Sequence, residues 1–137
     1  DEAGLGSIEA YGDELILVCE DDEDVRAYSA EVLRELGYQV LEAADGDSAL
    51  ALLNANRSVD LLFTDVVLPG SMTGAQLAKQ AAALKPGIKT LFTTGYARNA
   101  IVHHGRLDPR VDLLTKPFSY SDLAARVRDI LDRPSSE

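Results

Sequence analysis

The sequence is short of cysteine, of basic residues and of long apolar stretches, and each shortage removes a class of protein. It holds one cysteine, Cys19, so no internal disulfide can form, and a reducing compartment suits the chain. Cys19 ends the apolar run Leu15-Ile16-Leu17-Val18-Cys19, where a small thiol packs as core. No apolar run approaches the ~20 residues needed to span a bilayer. The first residues also lack the basic-then-apolar order of a secretory signal. The expected location is therefore the cytoplasm, with no membrane contact by this domain. Lys and Arg number 13 against 23 Asp and Glu, a formal net charge of −10. A nucleic-acid surface must neutralise phosphates with Lys and Arg, so no direct nucleic-acid binding is expected. Asp1, Glu2, Glu9, Asp13 and Glu14 bring five of those charges into the first fourteen positions, with no base among them. Residues 1–12 thus read as an acidic linker or tail. Methionine is scarce too: Met72 is the only one and the chain starts at Asp1, so a processed chain or a piece of a longer protein is expected.

What is present fits one globular domain. The chain has 137 residues, 46% hydrophobic and 26% charged, enough to bury a core without staples. Five short apolar runs recur: Leu15–Cys19, Tyr38–Leu41, Leu61–Thr64, Ile88–Thr93 and Val111–Thr115. The first, third and fourth are almost wholly apolar or Thr, as strands covered on both faces are. Helical spacing fills the gaps. Glu23–Leu36 carries Val25, Tyr28, Val32, Leu33 and Leu36, and Gly37 stands where a left-handed cap wants glycine. Asp47–Ala55 and the Ala-rich Gly74–Leu84 follow, the latter stopped before Pro86. Ala97–His104 is a weak fourth helix. Ser119–Leu131 is the fifth, with Ser119 and Asp122 resembling a capping box. This alternation predicts an α/β, (βα)5, doubly wound parallel sheet of five strands over residues 13–132, with 133–137 a short tail and no output domain after it.

Open parallel sheets place ligands outside the carboxyl ends of their strands. After the first strand stand Glu20-Asp21-Asp22-Glu23-Asp24, after the third Asp65, after the fourth Thr94-Gly95, and after the fifth Lys116-Pro117. The second ends in Glu42-Ala43-Ala44 and offers nothing comparable. Two like charges ~4 Å apart repel by about 4 kcal/mol at a partly buried dielectric, so converging Glu20, Asp21 and Asp65 calls for a cation. An oxygen-only cluster selects Mg²⁺, which keeps waters and takes a phosphoryl oxygen. Asp65 is then a nucleophile toward phosphorus, Lys116 a compact charge for the incoming oxygens and Thr94 a hydroxyl donor.

These residues carry a resemblance. Leu15 to Asp22, Leu61-Leu62-Phe63-Thr64-Asp65-Val66-Val67-Leu68-Pro69-Gly70, Leu91 to Gly95 and Lys116-Pro117-Phe118 resemble the receiver domains of two-component signalling. The stretch Thr93 to Ala100 with His103-His104-Gly105 is similar to receivers at the C-terminus of hybrid histidine kinases. The resemblance implies a flavodoxin-like receiver fold with strand order 2-1-3-4-5. It also implies a phospho-acceptor switch that catalyses its own phosphorylation rather than a turnover enzyme, within a parent that is itself a histidine kinase. Asp65 would accept the phosphoryl group. Asp21 would ligate Mg²⁺ directly, Glu20 would act through water, and the backbone carbonyl of Val67 would complete the protein's metal ligands. Thr94 and Lys116 would contact the phosphoryl group, and the Lys116–Pro117 bond would be cis. The implied donor is a histidine kinase or histidine phosphotransfer domain, docking near Val25, Arg26, Ser29, Pro117 and Phe118; a weak homodimer is also compatible with the family.

Some residues depart from the family pattern. Leu113 occupies the usual aromatic switch position, three before Lys116, and the loop Pro69–Gly74 is one residue longer than usual. Val67 and Tyr96 flank the approach of a hydrolytic water without orienting it, which implies a long-lived phosphorylated state and switching centred on Gly95–Asn99. Plainer readings stand beside the functional ones. Asp22, Glu23 and Asp24 suit a solvated helix start. His103 and His104 are adjacent and cannot share a helix face, so they read as structural. Phe118 reads equally as core or as partner contact. A phosphatase of the haloacid-dehalogenase type would need a second Asp two residues after the nucleophile, where Val67 stands. A flavin-binding domain would need a phosphate-cradling loop after the first strand. The remaining alternative is a phosphorylation-independent docking module, a pseudo-receiver.

Overall fold

The computed structural model describes residues 14–56, 58–95 and 112–134, with the backbone alone of residues 102–103 and 106–107. Its strands are β1 (Leu15–Cys19), β2 (Gln39–Ala43), β3 (Leu61–Asp65), β4 (Lys89–Thr94), β5 (Val102–His103), β6 (Arg106–Leu107) and β7 (Leu113–Thr115). Five of them form one parallel sheet in the order β2-β1-β3-β4-β7, the doubly wound arrangement 2-1-3-4-5. The helices are α1 (Glu23–Glu35), α2 (Gly46–Ala55), α3 (Gly74–Leu84) and α4 (Tyr120–Leu131).

Alternation along the strands divides the core between two faces. Ile16 and Val18 of β1 and Leu61 and Phe63 of β3 join Val32 and Leu33 of α1 and Leu123, Val127 and Ile130 of α4. Leu17, Cys19 and Leu62 point the other way and meet Ala49 and Leu53 of α2 and Leu77 and Ala81 of α3. Both faces of β1 and β3 are therefore buried, which explains their unbroken apolar sequence. Full burial of a leucine such as Leu62 contributes about 1.5–3 kcal/mol.

Helix ends follow local chemistry. The Asp22 carboxylate accepts from the N–H groups of Asp24 (2.9 Å) and Val25 (3.1 Å) and starts α1. Gly37 ends it with φ 104°; its N–H donates to Arg34 O and that of Tyr38 to Leu33 O, a Schellman turn. This turn takes Tyr38 out of the second strand, which begins at Gln39 rather than Tyr38. Ser119 caps α4 by accepting from the Asp122 N–H. A full capping box lies at α3, where Thr73 and Gln76 bond reciprocally at 3.1 and 2.9 Å.

One expected element differs. Within the helix expected over Ala97–His104, residues 102–103 form β5, paired antiparallel with β6 in a separate two-stranded sheet. The β-branched Val102 favours that geometry, and the stretch offers no strong helical stripe to oppose it. Residues 97–101 and 104 of that expectation lie outside the described residues, as does Val111 at the start of the expected fifth strand. No helix among the described residues is long and apolar enough to cross a membrane.

Candidate functional site

The chain reverses its order across the sheet between β1 and β3, and their carboxyl ends open the crevice of such folds. Glu20 follows β1 directly and Asp65 is the last residue of β3, so both stand there. They are buried, Glu20 to 4% exposure and Asp65 to 7%, while Asp21 is exposed. One carboxylate oxygen from each of Glu20, Asp21 and Asp65 can be chosen so that all lie within 4.8 Å of one another. Three hard oxygen donors so close fit a divalent cation such as Mg²⁺.

Lys116 follows β7, and its Nζ reaches Asp65 Oδ2 at 2.8 Å and Glu20 Oε1 at 3.1 Å. The other oxygens are also bonded: Asp65 Oδ1 accepts from the Val67 N–H at 3.1 Å, and Glu20 Oε2 from the Asp22 N–H at 3.0 Å. Burial pushes the Glu20 carboxyl above its ordinary value, against the lowering bonds from Asp22 and Lys116. Burial also works against the Lys116 ammonium, but its bonds to Asp65 and Glu20 outweigh it, and the group is raised overall. Lys116 is therefore a firmly held cation among acids.

The backbone sets this geometry. Lys116 N–H donates to Thr94 O at 2.8 Å, which ties the lysine loop to the end of β4 and to Thr94, itself 1% exposed. The Lys116–Pro117 peptide is cis. Val66 N–H donates to Thr93 O, and Gly74 N–H to Val66 O, both at 2.9 Å, so α3 begins against the end of β3. A Cβ on Gly74 would lie 2.1 Å from Asp65 O, so only glycine permits this approach.

The structure thus brings Glu20, Asp21, Asp65 and Lys116 together at the ends of β1, β3 and β7, with Thr94 at the end of β4. Val67, expected to give its carbonyl, touches Asp65 through its N–H and leaves its side chain 62% exposed beside the site. Leu113 is half-buried in β7. Tyr96 lies outside the described residues.

The docking expectation needs correction at two positions. Ser29 is buried on the inner face of α1, 1% exposed, because it falls in helical register with Val32 and Leu33. Arg26 turns onto the Glu20 carbonyl at 2.9 Å and lies 3.6 Å from Glu42, rather than standing free. Val25, Tyr28, Pro117 and Phe118, with Asp24 and Lys116, instead line a cleft of about 360 Å³ next to the acidic site. Of the two readings open for Phe118, the core one is seen: its ring meets Phe63 of the core at 6.0 Å, and it also meets the exposed Tyr28 at 6.1 Å.

A doubly wound parallel sheet with three carboxylates and a lysine gathered at its strand ends is the frame of a two-component receiver. The chain belongs to the response regulator receiver domain family, which residues 16–128 match. It is 35% identical over 123 residues to the sensor kinase CckA of Brucella abortus, covering 89% of this chain but 13% of that protein. It is 34% identical to the receiver protein CpdR of the same organism, covering 85% of this chain and 95% of that one. The crystal structure of the receiver domain from hybrid histidine kinase CckA superposes with a TM-score of 0.73 at 38% identity, over 86% of this chain and 99% of that one.

Proposed function

We propose that this receiver, residues 13–132, accepts a phosphoryl group on Asp65 from a phosphohistidine and switches conformation in response. The observation that carries the reading is the Asp65 carboxylate, buried, bonded at both oxygens and 2.8 Å from the Lys116 ammonium. An Asp65 oxygen attacks phosphorus and the P–N bond breaks. The imidazole leaves with the bonding pair and takes a proton from solvent. Lys116 moves from the carboxylate toward the developing phosphoryl charge, and the Thr94 hydroxyl donates to it; both act by electrostatic stabilisation in a pre-formed site. Glu20, Asp21 and Asp65 would hold Mg²⁺, with the Val67 carbonyl as a further ligand. Bound there, Mg²⁺ would supply positive charge to offset the negative charge of the reacting groups.

The donor is a helical histidine kinase or phosphotransfer domain that meets Val25, Tyr28, Pro117 and Phe118. The likeness to the receiver domain of hybrid histidine kinase CckA supports a hybrid kinase as the parent, and the single cysteine suits the reducing cytoplasm as its place. The phosphorylation-independent docking module is disfavoured by the intact set around Asp65. Intact mass after incubation with a small phosphodonor and Mg²⁺ tests the reading. One added phosphoryl group, absent in Asp65→Asn, is expected; an unchanged wild-type mass would overturn it.

A further inference from the structure

The side chain of Arg26 folds back onto the backbone after β1 rather than standing in solvent. Its Nη1 donates to the Glu20 carbonyl at 2.9 Å, and its Nε lies 3.6 Å from Glu42 on β2. Its side chain is 21% exposed. Glu42 is in turn held by Arg34 at 3.1 Å, and Arg34 also donates to the Val40 carbonyl. The guanidinium is therefore anchored from the β2 edge before it reaches the site.

The carbonyl that Arg26 holds belongs to the peptide joining Glu20 to Asp21. On the other side of Glu20, its own N–H donates to Ala43 O at 3.0 Å. Strand pairing thus fixes one peptide plane of Glu20, and Arg26 fixes the next. That second plane carries Asp21, which leaves the sheet into the turn before α1. Without Arg26 the Glu20 side chain keeps its bonds to Lys116 and the Asp22 N–H, whereas the Glu20–Asp21 peptide loses the side chain bonded to its carbonyl.

We propose that Arg26, anchored by Glu42, is a positioning residue: it locks the Glu20–Asp21 peptide so that Asp21 converges on Asp65 as a cation ligand. The proposal rests on the metal-site reading given above and adds to it a residue that touches neither cation nor phosphoryl group. Simple electrostatics predicts the opposite effect, which makes the proposal decisive to test. Arg26 is a positive charge near an acidic cluster, so removing it should tighten Mg²⁺ binding if charge alone mattered. If positioning matters, removal weakens binding, as loss of outer partners of metal ligands generally does by ~10-fold or more.

The experiment is a Mg²⁺ titration of wild type, Arg26→Ala and Arg26→Lys, read from the amide shifts of Asp21 and Asp65. Transfer from a phosphohistidine donor and from a small phosphodonor is measured in parallel. The expected result is ~10-fold weaker Mg²⁺ binding in Arg26→Ala. Arg26→Lys, which can still donate to the carbonyl, should be intermediate, and both phosphodonors should slow together. Should Arg26→Ala fail to fold, Arg26→Lys carries the same reading. Unchanged or tighter Mg²⁺ binding in the variants would overturn the proposal. So would slowing confined to the phosphohistidine donor, which would make Arg26 a docking residue. A wild type that binds no Mg²⁺ would overturn the metal site itself, whereas wild-type binding with insensitive variants removes only the role of Arg26.

Discussion

The two ends of the sheet both collect charge, and they do so by opposite rules. At the end where the strands begin, acids and bases are matched. Arg128 meets Glu14 and Asp132 at 2.9 Å, Arg133 meets Asp129 at 2.8 Å and Asp112 at 3.0 Å, and Lys85 lies 3.7 Å from Asp60. Lysines there also serve backbone: Lys85 donates to Val59 O, and Lys89 to the carbonyls of Leu131 and Arg133 at the end of α4. At the end where the strands finish, Glu20 and Asp65 share Lys116, and a carboxylate oxygen of Asp21 lies within 4.8 Å of theirs. Partly exposed, matched pairs contribute little each and mainly pin elements together. A buried excess of one sign is a standing cost, which the proposed cation and phosphoryl group would offset. The difference separates clamp from site without reference to any relative.

The largest expected effect comes from crowding the site end. Gly74→Ala forces a Cβ against Asp65 O, and overpacking against backbone should cost about 3 kcal/mol or more. Urea unfolding should show that loss, and phosphorylation of the folded fraction should also fall. A variant as stable as wild type would mean that α3 can move off β3 freely.

Lys116→Met should reduce the phosphorylation rate with a small phosphodonor by ~100-fold, the usual consequence of losing a pre-organised charge. Arg128→Ala is its counterpart at the opposite end. Arg128 holds Glu14, Asp132 and the Tyr38 hydroxyl and lies over the Tyr38 ring. Glu14 Oε1 is already buried without a hydrogen-bond partner among the described residues. Losing Arg128 should therefore lower the unfolding free energy by about 2 kcal/mol and leave the phosphorylation rate unchanged. The comparison breaks if Arg128→Ala slows phosphorylation as Lys116→Met does.

A smaller effect is expected beside Asp65. Val67 exposes an apolar side chain where a polar one could orient a water. Val67→Asn should hasten loss of the phosphoryl group by roughly tenfold, equivalent to about 1.4 kcal/mol. A dephosphorylation time course checks it, and equal lifetimes would refute the orienting argument.

How far these ends were legible in the sequence follows from chain locality. Glu20, Asp21, Asp65, Thr94 and Lys116 each stand at the end of a strand or just after it, so recognising the strands places them all at one edge. The fold was readable because β1 and β3 are apolar on both faces, β4 is largely apolar or Thr, and Gly37 marks a left-handed turn. What escaped depends on contacts between distant elements. Glu42 looked inert at the end of β2, and only the reach of Arg26 across from α1 links it to Glu20. Ser29 looked like a surface hydroxyl, but helical register buries it. Thr73-Gly74-Ala75-Gln76 carries a capping signature that is local and readable in the sequence. At the opposite end Arg128 and Glu14 are separated by most of the chain and have no local signal, unlike the i,i+4 pairs Arg128–Asp132 and Arg133–Asp129.

The smallest effect concerns an acid near the site end that is not part of the excess. Asp45 precedes α2, and its carboxylate accepts from the Ser48 N–H at 2.7 Å, so it caps that helix instead of joining the cluster. Its backbone carbonyl faces the Cys19 thiol at 3.4 Å, which places it behind β1 rather than in the crevice. The Ser48 backbone bond, then the Ser48 side chain, hold the Asp45 carboxyl below its ordinary value. A carboxyl lowered by folding stabilises the native state above its unfolded value and loses that contribution as pH falls through the folded value. Asp45→Ala should therefore be less stable than wild type at neutral pH, and the gap should close in the acid range below the ordinary aspartate value of 3.8. It should be indifferent to Mg²⁺, whereas the stability of wild type itself should rise with Mg²⁺ through Glu20, Asp21 and Asp65. Thermal unfolding of both proteins across pH, with and without Mg²⁺, makes the measurement. If the gap between them changes when Mg²⁺ is added, Asp45 belongs to the metal site and the division between capping acid and site acids is wrong.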